Sequence, residues 1–286
     1  MGSAGRRLLG QTLLSSPAPL GLGVKPSQTF LLSRELSSSG FVQASEVYRL
    51  QSKALRCSTG SRGLDKVLGG GVEQGSITEF YGEASTGKTQ VCVTLSVLCQ
   101  LKAEEGGFGG KVAYIDSEGT FRADRVSEIA SARGLDRSEV LDNIFYSRAV
   151  GYQSLEESVL QLPHLLSREN VRLIVIDSIV SPFRAEFLGR ESLQERQQRL
   201  GLLLFKLKEI SEAYGSAVVI TNQVTSSPNP FALERLRPAG GNVLAHSVTH
   251  RVFLYKKGDR RFAKLVDSPS LPQAEAEFFI GEAGVL

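Results

Sequence analysis

The sequence predicts an α/β domain with a mostly parallel central sheet flanked by helices and an antiparallel end on its C-terminal side. From about Phe41 onward, short apolar runs alternate with helical stretches, the mark of a parallel sheet covered on both faces. One run, Leu173-Ile174-Val175-Ile176-Asp177, is apolar on both pleat positions until a carboxylate ends it, as a strand buried on both faces reads. After Gly241 the strand-like segments Thr249–Lys256, Phe262–Asp267 and Glu275–Ile280 follow one another too closely for crossover helices, so antiparallel pairing is expected there.

The elements follow in order. Ser61 is expected to cap a short helix carrying Leu64, Val67 and Leu68, which Gly69-Gly70-Gly71 ends. Strand Ser76–Tyr81 then enters a glycine-rich loop, and a helix starts at Lys88. Further strands are expected at Lys111–Asp116, Asn143–Arg148, Val171–Asp177 and Ser216–Thr221, with helices near 122–133, 153–168 and 191–213. Pro163 is expected to kink the second of these helices. Three segments result: 1–40 as leader, 41–58 as linker and 59–286 as core.

Gly82-Glu83-Ala84-Ser85-Thr86-Gly87-Lys88-Thr89 has the spacing GxxxxGKT between a strand and a helix. In that context the loop's N–H groups and the helix N-terminus cradle phosphates, Lys88 reaches the β- and γ-phosphates, and Thr89 holds Mg²⁺. The binding stretch extends to Gln90. Asp177, at the end of its apolar strand, is the second Mg²⁺-associated residue, acting through water. Hydrolysis also needs a carboxylate to orient and deprotonate water; the strand ending at Asp116 offers Asp116 and Glu118, of which Glu118 is the better candidate. ATP and Mg²⁺ are therefore the expected cofactors.

Composition narrows the rest. Arg6, Arg7, Lys25 and Arg34 against only Glu35 account for the whole net charge of +3, so the body is neutral and charge alone does not argue for nucleic acid. Residues 1–40 have the composition of an organelle transit peptide, and equally that of plain disorder; Pro17, Pro19 and Pro26 oppose a long amphipathic helix. Cys57, Cys92 and Cys99 lack CxxC spacing and are odd in number, which predicts buried thiols rather than disulfides or a metal site. No run approaches the roughly 20 apolar residues of a membrane span.

Several segments are more specific than the phosphate loop alone: YIDSEGTFRADR at 114–125, LIVIDS at 173–178, FRAEFLGRESLQERQQRL at 183–200, VVITNQV at 218–224, GGNVLAHS at 240–247 and LVDSPSLP at 265–272. Through them the body from Phe41 onward resembles the archaeal and eukaryotic RecA-type DNA recombinases, the RadA group and its eukaryotic relatives. The resemblance implies a RecA-type P-loop NTPase core acting as a DNA-dependent ATPase that forms filaments on single-stranded DNA and exchanges strands with a homologous duplex. It implies that Glu118 is the catalytic glutamate, that Arg125 stacks on adenine, and that Gln223 senses the γ-phosphate for a DNA-binding loop. His246 would act across a protomer boundary.

The same resemblance places single-stranded DNA on Ser181–Arg190 and Val224–Ala239, with Arg184 and Arg190 on phosphates, Arg235 and Arg237 adding backbone contacts and Phe231 stacking on bases. Lys256, Lys257, Arg260, Arg261 and Lys264 form a basic cluster on a hairpin, which duplex DNA or plain solubility would explain. Phe41-Val42-Gln43-Ala44 matches an assembly motif in which Phe41, with Ala44, plugs into a neighbouring protomer of a helical filament or ring. Partners would include mediators or paralogues and no membrane, and the setting would be DNA inside the cell: the nucleus of a eukaryote or the cytoplasm of an archaeon. Two departures stand out. Nothing in residues 1–40 resembles the family's helix-hairpin-helix domain, and Glu234-Arg235-Leu236-Arg237-Pro238 lacks the Asp-Pro of the usual ATP cap. They motivate the alternative of an ATP-binding mediator paralogue without strand exchange of its own.

Overall fold

The computed structural model describes residues 41–186, 189, 192–226 and 236–286, the side chains of Leu50 and Ser226 apart. Its elements are α1 (Ala44–Gln51), β1 (Arg56–Cys57), α2 (Arg62–Val67), β2 (Val72–Glu73), β3 (Ile77–Gly82), α3 (Lys88–Leu98), β4 (Lys111–Asp116), α4 (Ala123–Ala132), α5 (Arg137–Asp142), β5 (Ile144–Arg148), α6 (Tyr152–Arg168), β6 (Val171–Asp177), α7 (Ser181–Glu186) and α8 (Leu193–Tyr214). They continue with β7 (Ala217–Asn222), β8 (Val224–Ser226), β9 (Leu236–Pro238), α9 (Gly241–Ser247), β10 (His250–Lys257), β11 (Arg260–Asp267), β12 (Glu275–Phe278), β13 (Ile280–Gly281) and β14 (Gly284–Val285).

One eight-stranded sheet organises the domain, in the order β12-β11-β10-β3-β7-β6-β4-β5. The run from β10 to β5 is parallel throughout. The expected antiparallel end is present, but it begins one strand later than the sequence suggested. β10 pairs parallel with β3, and only β11 and β12 run antiparallel. The short α9 supplies the reversal that lets β10 return parallel to β3.

Each inner strand is apolar on both pleat faces because each face has its own core. In β6, Leu173 and Val175 join the cluster beneath α2, α3 and α4, while Ile174 and Ile176 join the one beneath α6 and α8. β7 divides likewise, with Ala217 and Val219 on one side and Val218 and Ile220 on the other. This is the period-two split of a strand, and each such Val, Leu or Ile contributes about 1.5–3 kcal/mol on burial. The three cysteines are buried free thiols, which burial pushes well above their ordinary pKa.

Three local details stand out. Ser61 stands at the N-cap of α2 but its side chain makes no capping bond; the turn is held instead by Asp65, whose Oδ1 accepts from Thr59 N and Oγ1, each at 2.7 Å. α5 lacks a clear apolar repeat but is capped by Asp136, which accepts from Glu139 N at 2.8 Å. α6, the helix expected to kink at Pro163, continues through that residue as one helix.

Candidate nucleotide site and its coupling to a loop surface

β3, β4, β6 and β7 deliver their C-terminal ends to one edge of the sheet, where an open α/β sheet leaves its crevice. Gly82 closes β3. A Cβ there would lie 2.1 Å from the carbonyl oxygen of Leu254 on β10, so only glycine lets the strand turn away beside its neighbour. Ser85, at φ 62°, carries the loop through the left-handed region, and Gly87, at φ 114°, starts α3. Thr86 is buried and bonds its hydroxyl to Glu83 O at 2.9 Å, which leaves the loop's other members to face the cleft.

That cleft encloses about 820 Å³ and is lined by Gly82, Glu83, Ala84, Ser85, Gly87, Lys88, Thr89 and Gln90, with Glu118, Thr120, Arg125, Asp177, Gln223, Val224, Arg261 and Ile280. Lys88 folds over the loop, its Nζ donating to Gly82 O at 2.9 Å and Glu83 O at 2.7 Å. Burial lowers the pKa of its ammonium, while Asp177 and Glu118 pull it back up. Thr89 Oγ1 donates to Asp177 Oδ2 at 2.7 Å, and Tyr114 donates to the same oxygen at 3.1 Å. Burial raises the Asp177 carboxyl, opposed by hydrogen bonds from Thr221, Thr89 and Tyr114. A hydroxyl and a carboxylate at an open cleft are hard oxygen donors that suit Mg²⁺ holding waters and phosphate.

The two candidate acids separate by geometry. Asp116 is buried, and its carboxylate is occupied by backbone: Oδ1 accepts from Glu118 N at 3.0 Å, Gly119 N at 2.7 Å and Thr120 N at 3.3 Å, and Oδ2 from Phe121 N at 3.1 Å. It builds the turn that aims Glu118 into the cleft. Glu118 Oε1 accepts from Ser178 Oγ at 2.6 Å and from Gln223 Nε2 at 2.9 Å, and Gln223 Oε1 accepts from Arg184 at 3.2 Å. A continuous path thus joins the cleft to Arg184, an exposed residue of α7.

Gln223 begins the segment that returns at β9. Its N–H bonds to Asn222 Oδ1 at 2.8 Å and its carbonyl accepts from Ala239 N at 2.9 Å, while Asn222 Nδ2 reaches Ala239 O at 2.7 Å and Glu79 Oε1 at 2.8 Å. Glu79 is fully buried and pairs with Arg251 Nε at 2.7 Å. Sequence reading missed this anchor, although an acid inside the apolar run Ile77–Gly82 and an arginine inside β10 were visible signals. Ser178, Thr120, Ile280 and the cleft-facing position of Arg261 were missed as well.

Arg125 bonds Gln90 Oε1 at 2.9 Å and the carbonyls of Gly281 and Glu282, joining α4 to the β13–β14 turn. Arg237 is exposed on β9, which pairs with β8. His246 is exposed on α9 and is not among the residues lining the cleft. Arg190, Phe231 and Arg235 lie outside the described residues. Phe41 is 97% exposed and Ala44 is exposed, at the start of α1. At the far edge of the sheet, a second groove of about 740 Å³ lies along β5, its apolar wall including Phe145, Leu162 and Leu165. Among the described residues no helix is long and apolar enough to cross a membrane.

A strand, phosphate loop and helix at the end of a parallel sheet, with acids on two further strand ends and a glutamine on a third, define a RecA-type P-loop NTPase. The chain belongs to the Rad51 family, whose profile matches residues 50–286, and so to the eukaryotic RecA-type recombinases. It is 45% identical over 256 residues to a lily (Lilium longiflorum) protein named meiotic recombination protein DMC1 homolog, covering 88% of this chain and 73% of the lily protein. It is 44% identical over 257 residues to meiotic recombination protein DMC1 homolog A of japonica rice (Oryza sativa), covering 89% of this chain and 75% of the rice protein.

Proposed function

We propose that this chain is a Mg²⁺- and ATP-dependent recombinase that assembles on single-stranded DNA, pairs it with a homologous duplex and hydrolyses ATP to leave it. The names of the lily and rice relatives, both meiotic recombination proteins, support recombination as the process; the nucleus as its setting is part of this proposal. The observation that carries the reading is the path Arg184–Gln223–Glu118, because it connects an exposed arginine to the cleft acid within three side chains.

In this mechanism Gly82–Gln90 wrap the triphosphate, Lys88 exchanges its loop carbonyls for phosphate oxygens, and Arg125 borders the base. Thr89, and Asp177 through water, would hold Mg²⁺, which would supply charge neutralisation at the transferring phosphoryl group. Glu118 orients and deprotonates the attacking water. Gln223 divides its hydrogen bonds between Glu118 and Arg184, so DNA phosphate drawing Arg184 away alters the restraint on Glu118. Arg190, Arg235, Arg237 and Phe231 complete a sequence-tolerant DNA surface, and His246 acts at the protomer boundary.

For assembly, an exposed Phe41 and an open edge strand beside an apolar groove suit each other: a neighbour's extended linker adds to β5 and seats its phenylalanine. The test is a joint-molecule assay between homologous DNAs with wild type, Lys88→Ala and Phe41→Glu. Loss of pairing in both variants supports a nucleotide-dependent polymer. Wild-type filaments that never pair DNA would reject recombinase activity in favour of a mediator.

A further inference from the structure

The basic residues of the β10–β11 hairpin do not form one surface. Arg260 faces solvent, pairs with Glu277 and lies over the Phe262 ring, which Lys257 also approaches. Arg261 shares its pleat face with Ala263 and Leu265, both buried in the core on the α3 side of the sheet. That face leads to the phosphate loop. Leu254, the cross-strand partner of Ala263, brings its carbonyl against Gly82. Phe278, the cross-strand partner of Arg261, stands 3.3 Å from the position a Cβ on Gly87 would take. Arg261 therefore lines the cleft between elements that abut the first and last glycines of the loop. Its Nε is buried and, among the described residues, has no hydrogen-bond acceptor.

A buried guanidinium donor without an acceptor is unfavourable, and its planar fork matches the oxygens of a phosphate. We propose that Arg261 is a phosphate-binding residue of the nucleotide site, contacting the polyphosphate chain of ATP or ADP from the C-terminal hairpin in addition to Lys88. This rests on the reading that the cleft takes ATP. It removes Arg261 from the surface available to DNA and leaves Lys257, Arg260 and Lys264 on the opposite pleat face.

The test measures binding of a fluorescent ATP and ADP analogue to the full chain, with Arg261→Gln, Arg260→Gln and Lys88→Ala beside wild type. Arg261→Gln should weaken both nucleotides about ten- to a hundredfold, the scale of a charge-assisted hydrogen bond, and Arg260→Gln should change them less than about twofold. Thermal melting without nucleotide should show Arg261→Gln folded, with a smaller upward shift on adding nucleotide. A second measurement needs no variant: MgATP should protect Arg261, and not Arg260, from phenylglyoxal labelling in the wild type. Unchanged affinity in Arg261→Gln, or labelling of Arg261 that MgATP leaves untouched, overturns the assignment. Failure of wild type to bind nucleotide at all would instead reject the ATP reading itself.

Discussion

Gln223 donates from Nε2 to Oε1 of Glu118 across 2.9 Å, while its other amide atom accepts from Arg184. One planar amide therefore reports in both directions. Gln223→Ala should keep nucleotide affinity within about twofold of wild type but lose stimulation of ATP hydrolysis by single-stranded DNA. Glu118→Gln should lower hydrolysis itself about 10²–10⁴-fold at unchanged affinity. Steady-state ATPase rates with and without DNA separate the two, and full DNA stimulation in Gln223→Ala would remove the coupling role.

Gly82→Ala tests the loop's backbone rather than its chemistry. The added methyl would meet Leu254 O at 2.1 Å and Thr86 Oγ1 at 3.0 Å, and such overpacking costs about 1–3 kcal/mol or more. A fall in melting temperature of roughly 3–10 °C is expected. A variant that melts like wild type would show that β3 and β10 can part without penalty.

The Glu79–Arg251 pair is buried on both sides. Glu79→Ala strands the guanidinium and should cost about 3–5 kcal/mol in urea denaturation, whereas Glu79→Leu with Arg251→Met should recover most of that loss. Because Glu79 also holds Asn222, the recovered double variant should still bind single-stranded DNA less tightly. Wild-type DNA affinity in it would confine the pair to a stabilising role.

Glu73 carries a pH dependence. His250, whose Nε2 lies 3.5 Å away, and Arg56 hold its carboxyl below the ordinary value of 4.5, against the opposing effect of burial. A folded value below the unfolded one means stability that is complete above about pH 4.5 and is lost as pH falls through the folded value. Glu73→Gln should flatten that acid limb. Parallel stability curves for variant and wild type below pH 4.5 would refute the linkage.

Phe41→Glu addresses assembly. Because Phe41 touches little in its own chain, the monomer's melting temperature should hold to within about 2 °C, while sedimentation with ATP should shift from polymers to monomers. Polymers of unchanged length would dissociate Phe41 from the groove on β5.

Much of this architecture was legible because each strand end carries its own chemical signal. The run Val171–Asp177 announced both its burial and its carboxylate, and Lys88 marked the start of α3 to the residue. What stayed hidden depends on pairings between distant segments. Nothing near Gly82 says that Leu254 will lie against it, and nothing near Arg261 distinguishes it from Arg260 until the pleat is phased by Ala263 and Leu265. The sequence and the family resemblance favour Glu118 over Asp116; the physical reason, the backbone bonds that occupy Asp116, comes only with the fold. The parallel entry of β10 was missed because short connections were taken to mean antiparallel pairing, and α9 was not foreseen as the turn that permits otherwise.

The place of β3 in the sheet also sets an order in time. Its two neighbours are β7 and β10, so the strand that feeds the phosphate loop leaves the ribosome long before either partner exists. At roughly 5–20 residues per second, Gly82 waits on the order of 10–30 s for Leu254. During that interval the strand that feeds the phosphate loop is an unpaired edge, exposed to neighbours on the same polysome. Cells making this protein quickly have reason to keep a chaperone at hand for that strand.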